Sequence, residues 1–336
     1  MAVDTRQLRY FVQIVESGSL SKAARQLFIA QPALSQHVAR MEEEVGRPLL
    51  VRSARGVVST PSGEALYHHA KFVLRQLDEA VLVARREYTD VRGRVTLGLA
   101  PSTSNVLGLP LLRHLKAGFP GITLNVVVAL PAHLEERARQ SQLDVAILFS
   151  RNAASDMVFE PLLDEDVFAI LPADTALLSP SKASLTLAEL AAMPLVMSSL
   201  QHGIRRQLAL ELERAGLEAN IVAEIDSPEL VMRYVAEGAG ATVQPMAATL
   251  GACGPKGWRC LPISNVPMTR PNYLYAQPTQ RLTASAAVVR RELKRVVHGL
   301  VDDGGWRGVR LAPSGTGQED LPIGGEKVTR QAKGHA

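Results

Sequence analysis

Three residues constrain this chain more than any others. "FIA", residues 28 to 30, separates two segments of helical periodicity and is too short for anything but a tight turn. Before it, Ser19 is placed to N-cap a helix that buries Leu20, Ala23, Ala24 and Leu27. After it, "AQPALSQHVARMEEEV" brings Leu34, Val38, Met41 and Val45 onto one stripe at steps of four, three and four. An earlier stripe of Leu8, Phe11, Val12 and Val15 predicts one more helix in front. Three short helices with a tight turn between the last two predict a helix-turn-helix.

The polar face of the third helix is ordered against its dipole. Gln31, Pro32, Ser35, Gln36 and His37 come first, and Glu42, Glu43 and Glu44 come last. A helix favours acids at its N-terminus and bases at its C-terminus, so this order needs another reason. Uncharged donors and acceptors at the N-terminal end suit a partner that repels carboxylates, and proline is tolerated in a first turn. "PLLVRS" and "VVST" then form a hairpin around an Arg-Gly turn. Among the first 60 residues, Arg6, Arg9, Lys22, Arg25, Arg40, Arg47, Arg52 and Arg55 outnumber Asp4, Glu16, Glu42, Glu43 and Glu44. The whole chain carries only +4, with a pI of about 9.2, so most of the excess sits at the front, as phosphate binding requires. For any single arginine, a solvated surface charge reads the same.

A long helical pattern runs from Pro61 to about Asp90. Leu66, Ala70, Val73, Leu77, Ala80 and Ala84 alternate steps of four and three, a heptad seam that suits pairing with another helix. A long helix lying on its own domain would show the same pattern. From Gly93 the period changes. Strand-like "VTLGLA", "ITLNVVV", "LDVAILF", "VFAILP", "PLVMS", "IVAEID", "ATVQP" and "NYLYA" alternate with helical stretches, which predicts an α/β architecture with largely parallel sheets. From Asp302 the chain is rich in Gly, Pro and polar residues and reads as a disordered tail.

At 336 residues the chain has room for about two or three domains. No apolar run resembles a signal peptide or reaches the length of a membrane span. Cys253 and Cys260, the only cysteines, point to a reducing compartment and hence the cytoplasm. No clustered basic residues flank them to activate a thiol. Nucleophile-elbow, phosphate-loop and zinc-protease motifs are absent, and "GAGATV" at Gly238 lacks the third glycine of a dinucleotide fingerprint.

"LRYFVQIVESGSLSKAARQLFIAQPALSQHVARMEEEVGRPLLVRSARGVVSTPSGEAL" closely resembles the N-terminal domain of LysR-type transcriptional regulators, and the order of features matches that family over roughly residues 6 to 300. "IAQPALSQ", "LGLAPST" and "GWRCLPI" are similar to its nitrogen-assimilation branch. The resemblance implies an α+β multidomain chain. Its parts would be a winged helix-turn-helix over 1–60, a linker and dimerisation helix over 61–92, a two-lobed periplasmic-binding-protein-like α/β domain over 93–301, and a tail over 302–336. It implies a regulator rather than an enzyme, without cofactor or metal. The partners would be double-stranded DNA, further copies of the chain as dimer or tetramer, RNA polymerase and a small organic acid, with no membrane.

Recognition helices enter the major groove with their N-terminal residues on base edges, where Gln suits adenine and Ser several bases. Gln31, Pro32, Ser35 and Gln36 are therefore the candidate base contacts, and Arg40, a turn further on, a phosphate contact. Arg52 and Arg55 flank the wing turn and would meet the minor groove. Ser19 and Ser21 cap the second helix, alone or while also donating to phosphate. Leu66, Val73 and Leu77 would form the dimer seam.

In the back half, Pro101, Ser102, Thr103 and Ser104 follow a strand and open a helix, where free N–H groups and hydroxyls make an anion site or a plain N-cap. Ser198, Ser199 and His202 form the facing turn, with Arg205 in the helix after it, and Ser227 with Pro228 starts another helix. Pro131 and Phe149 stand where acid-binding relatives carry hydroxyl or basic groups, which implies a weakly bound, partly apolar acid. The alternative is a constitutive or architectural DNA binder whose C-terminal domain only oligomerises.

Overall fold

The computed structural model describes residues 3–53, 56–84, 91–154, 156–251, 257–279 and 281–313, without the side chains at 75, 76 and 78–84. Helix α1 (Thr5–Ser17) begins at a capping box in which Asp4 and Gln7 each accept the other's backbone N–H, and it stops at Gly18 in the left-handed region. Ser19 caps α2 (Leu20–Gln26). The three-residue turn is made by Phe28 at φ 55°, its side chain 94% exposed, and leads into α3 (Gln31–Val45) with Pro32 in the first turn. Phe11, Ile14, Ala23, Leu34, Val38 and Met41 form the core these helices share. Strands β1 (Leu50–Ser53) and β2 (Gly56–Ser59) pair antiparallel as the wing. Gly56 sits at φ 128°, and a Cβ there would lie 2.5 Å from the Gly18 carbonyl oxygen, so only glycine lets the wing close against the end of α1. Helix α4 (Pro61–Ala84) follows.

The first lobe opens with β3 (Gly93–Leu99), α5 (Pro101–Gly118), β4 (Ile122–Val128), α6 (Pro131–Arg139) and β5 (Val145–Leu148). Here β3 is parallel to both β4 and β5, as helical crossovers dictate. Strand β6 (Val158–Pro172) then leaves for the second lobe. That lobe holds α7 (Leu187–Ala192), β7 (Leu195–Met197), α8 (Gly203–Arg214), β8 (Ile221–Glu224), α9 (Pro228–Ala236), β9 (Thr242–Pro245), a 3-10 turn over Met246–Gly251, and β10 (Trp258–Pro262). The chain returns along β11 (Thr269–Ala276) and closes the first lobe with α10 (Ala284–Asp302) and β12 (Val309–Leu311). Leu97, Leu107, Ile147, Leu274 and Leu293 mark one core; Ala169, Leu195, Leu208 and Val243 mark the other.

Two expectations need correction. The sheets are mixed rather than largely parallel: β6 pairs antiparallel with β9, β10, β11 and β12, and β5 with β11. The cause is the route of the chain. It exits along β6 and re-enters along β11, so strands that end side by side run opposite ways. The ordered chain also continues past Asp302, against the expected tail over 302–336. Trp306 is 2% exposed inside the first-lobe core, and β12 pairs with β6. A few apolar residues in a Gly- and polar-rich stretch carried no periodicity to announce this. Residues 314–336 lie outside the described residues.

Candidate nucleic-acid interface and inter-lobe cleft

On α3, Gln31, Pro32, Gln36 and Arg40 are exposed and Ser35 is half-buried. Two of these groups are tied to neighbouring elements. The Ser21 hydroxyl donates to Gln31 Oε1 at 2.9 Å, linking α2 to α3. Arg52 Nη1 donates to Ser35 Oγ at 2.8 Å, so this wing arginine leans onto the recognition helix. Ser19 Oγ accepts from the Lys22 backbone N–H at 3.4 Å and keeps its own proton for another acceptor. Arg55 lies outside the described residues. Of the late acids, Glu42 has a structural task that the sequence reading missed. Its Oε1 accepts from the backbone N–H groups of Leu49 and Leu50, fastening the start of β1 to α3.

The first turns of α4 serve their own domain. Leu66 packs against the helix-turn-helix core, and the Tyr67 hydroxyl and Lys71 ammonium both donate to Glu16 of α1, at 3.1 and 2.9 Å. Val73 is half-buried, while Leu77 is 40% exposed. The apolar seam therefore faces inward at Leu66 and outward by Leu77.

A cleft of about 450 Å³ lies between the lobes. The N-terminal turns of α5, α6, α8 and α9 all reach its wall. The sequence places them there because each follows a strand end or short loop, three of them through a first-turn proline at 101, 131 and 228. Helices α5, α6 and α8 lack a side-chain cap, which leaves first-turn N–H groups for a ligand. Ser102, Ser104 and His202 line the cleft, as do Pro131 and Phe149. Thr103, Ser199 and Ser227 do not. Thr103 is fully buried with its hydroxyl unpartnered, and Ser227 caps α9 through the Leu230 N–H. Ser199 gives both its N–H and its hydroxyl to Asp226, at 2.9 and 3.1 Å. His202 Nε2 meets the same carboxylate at 3.1 Å, and Asp226 is held below the usual range, chiefly by the Ser199 backbone N–H. Arg205 is buried, with a guanidinium nitrogen 4.0 Å from Glu224.

The reading of Phe149 as an apolar end of the cleft is incomplete. The Arg270 guanidinium stacks 4.0 Å above its ring, donates to Ser102 Oγ at 3.1 Å and pairs with Glu165. Glu165 is fully buried and also accepts from the Trp306 indole at 3.2 Å. Neither Arg270 nor Glu165 stands out in the sequence, since they meet across 105 residues; a lone arginine in the apolar strand "TRPNYLYA" was the only signal. Glu135, a half-buried carboxyl on α6, also faces the cleft, and burial pushes it up, offset by Arg139 and Arg206. Away from the cleft, burial raises the Cys260 thiol to about 11, which leaves it a poor nucleophile. Cys253 lies outside the described residues. No described helix is long and apolar enough to cross a membrane.

Comparison with known proteins accounts for both regions. Residues 5–64 match the family described as bacterial regulatory helix-turn-helix protein, lysR family, and residues 89–297 match the LysR substrate binding domain. The nitrogen assimilation regulatory protein nac of Klebsiella aerogenes is 36% identical over 258 residues, covering 76% of this chain and 83% of that protein. Its namesake from Escherichia coli is 36% identical over 255 residues, covering 75% and 82%. A full-length OxyR variant from Pseudomonas aeruginosa has a similar fold, with a TM-score of 0.71 at 23% identity, covering 94% of this chain and 99% of that one.

Proposed function

Because the chain belongs to the LysR family of bacterial transcriptional regulators, which bind DNA, oligomerise and take small-molecule effectors, we propose how its own residues divide that work. Gln31, Pro32, Ser35 and Gln36 read base edges in the major groove. Arg40 holds phosphate, Ser19 and Ser21 donate to the backbone, and Arg52 and Arg55 serve the wing. The domains run over 1–60, 61–92 and from 93 onward. Copies pair through α4 around Val73 and Leu77, and pairs join into tetramers that present two recognition helices to two half-sites. The protein works in the cytoplasm and acts on RNA polymerase.

The observation that carries this reading is the polar face of the first two turns of α3: exposed at Gln31, Pro32 and Gln36, free of carboxylates, and steadied by the Ser21–Gln31 and Arg52–Ser35 hydrogen bonds. The test is footprinting on the promoters of nitrogen-assimilation genes and on the divergent neighbouring gene. Gln36→Ala should cost about 1–3 kcal/mol at the footprinted site and leave non-specific binding unchanged. Equal losses on both would remove Gln36 from base contact.

The cleft takes a small, partly apolar organic acid that shifts DNA affinity. A second reading has its own support, because the Ser102 hydroxyl already accepts from Arg270 and Arg270 is already neutralised by Glu165. In that reading the chain binds DNA constitutively and the back end only oligomerises.

A further inference from the structure

We infer that the small acid taken by the cleft is a zwitterion of the amino-acid class, carrying an ammonium group beside its carboxylate. The inference rests on the ligand-sensing reading above and names the class of molecule sensed.

The charges on the wall decide the matter. Two of the nitrogen-bearing side chains there are already engaged: His202 is hydrogen-bonded to Asp226, and Arg270 is paired with Glu165. Three charged side chains remain, Glu135, Glu229 and Arg206, and none makes a hydrogen bond or ion pair through its side chain among the described residues. The unmatched side chains are thus more acidic than basic. The positive character of the cleft comes instead from backbone, where the uncapped first turns of α5, α6 and α8 reach its wall, beside the Ser104 hydroxyl. A carboxylate placed there is well held. The same ligand without a cation would set a second negative charge near Glu135, a half-buried carboxyl that accepts no hydrogen bond among the described residues and whose burial is only partly offset by the charges of Arg139 and Arg206. An ammonium group reaching α6 supplies a donor and turns the repulsion into a charge-assisted hydrogen bond. Val128, Leu130 and Ile225 leave apolar wall for a side chain, and about 450 Å³ suits a molecule of this size.

The test is thermal melting of the full-length protein with three matched sets of compounds. These are the proteinogenic L-amino acids, the carboxylic acids that lack their amino group, and the amines that lack their carboxylate. The inference expects at least one amino acid to raise the melting temperature while its deaminated and decarboxylated counterparts do not. Glu135→Gln should abolish that shift, and Glu136→Gln, next to it on the outer face of α6, should preserve it. A deaminated acid that stabilises as well as its amino acid, or a shift that survives Glu135→Gln, overturns the zwitterion and leaves ligand sensing intact. No shift from any set overturns both.

Discussion

Two arginine–serine contacts show how differently the ends of this molecule are built. At the wing, Arg52 donates to Ser35 at 2.8 Å in an exposed setting. In the cleft, Arg270 donates to Ser102 at 3.1 Å, stacks on Phe149, and is locked to a carboxylate with no exposure at all. The first contact is cheap to exchange, because surface hydrogen bonds and ion pairs contribute at most about 1 kcal/mol and water competes for both partners. The second cannot be exchanged without stranding a buried charge. A surface that must swap its own hydrogen bonds for those of a polyanion is held loosely, whereas the joint between two lobes is held by groups that cannot let go.

The comparison breaks most visibly at Glu165. Glu165→Ala should leave Arg270 and the Trp306 indole without their acceptor and cost about 3–5 kcal/mol in urea unfolding. A loss comparable to that of an exposed side chain would mean the network is no stronger than the wing contact. Next in size is assembly: Leu77→Glu puts a charge into the outward part of the α4 seam and should shift sedimentation toward monomer. Native assembly in the variant would mean that α4 packs only within its own chain. Arg52→Ala should be smaller still, lowering the salt slope of DNA binding by about one ion and changing stability by less than about 0.5 kcal/mol. An unchanged slope would take Arg52 out of the interface.

The smallest effect concerns acid. Burial alone would raise the Glu160 carboxyl, but hydrogen bonds from Lys294 and Arg290 override it and leave it lowered. A carboxyl lowered on folding contributes stability that is fully present above its unfolded value, near 4.5, and is lost as pH falls through the folded one. Both cationic partners are partly exposed, so the contribution is below about 1 kcal/mol. Glu160→Gln should flatten the acid limb of the stability curve by that amount and leave neutral stability only slightly reduced.

What was legible in the chain follows the same division. The α2 cap and the α3 stripe are local, so spacing within fifteen residues reports them. The fold class was legible too, since a strand–helix alternation and a heptad run are both repetitive signals. Glu42 was read only as an acid kept away from phosphate, because its partners at Leu49 and Leu50 appear only when β1 folds back. Arg270, Glu165 and Trp306 come from three distant segments, and Ser199 and His202 converge on an Asp226 that no motif picks out. Long-range charge matching leaves no period in a sequence, and the paired charges of the cleft wall depend on it.

Strand β6 gives the regulatory half its mechanical character. Its first part is hydrogen-bonded to β11 and β12 in one lobe, and its last part to β9 and β10 in the other. One continuous backbone is therefore a member of both sheets. The changeover falls at Asp166 and Val167, so each sheet draws its own stretch of the same strand. The chain passes between the lobes along that strand and again at the return crossing, where the Val167 N–H is bonded to the Met268 carbonyl at 2.9 Å. The two lobes share one backbone spine.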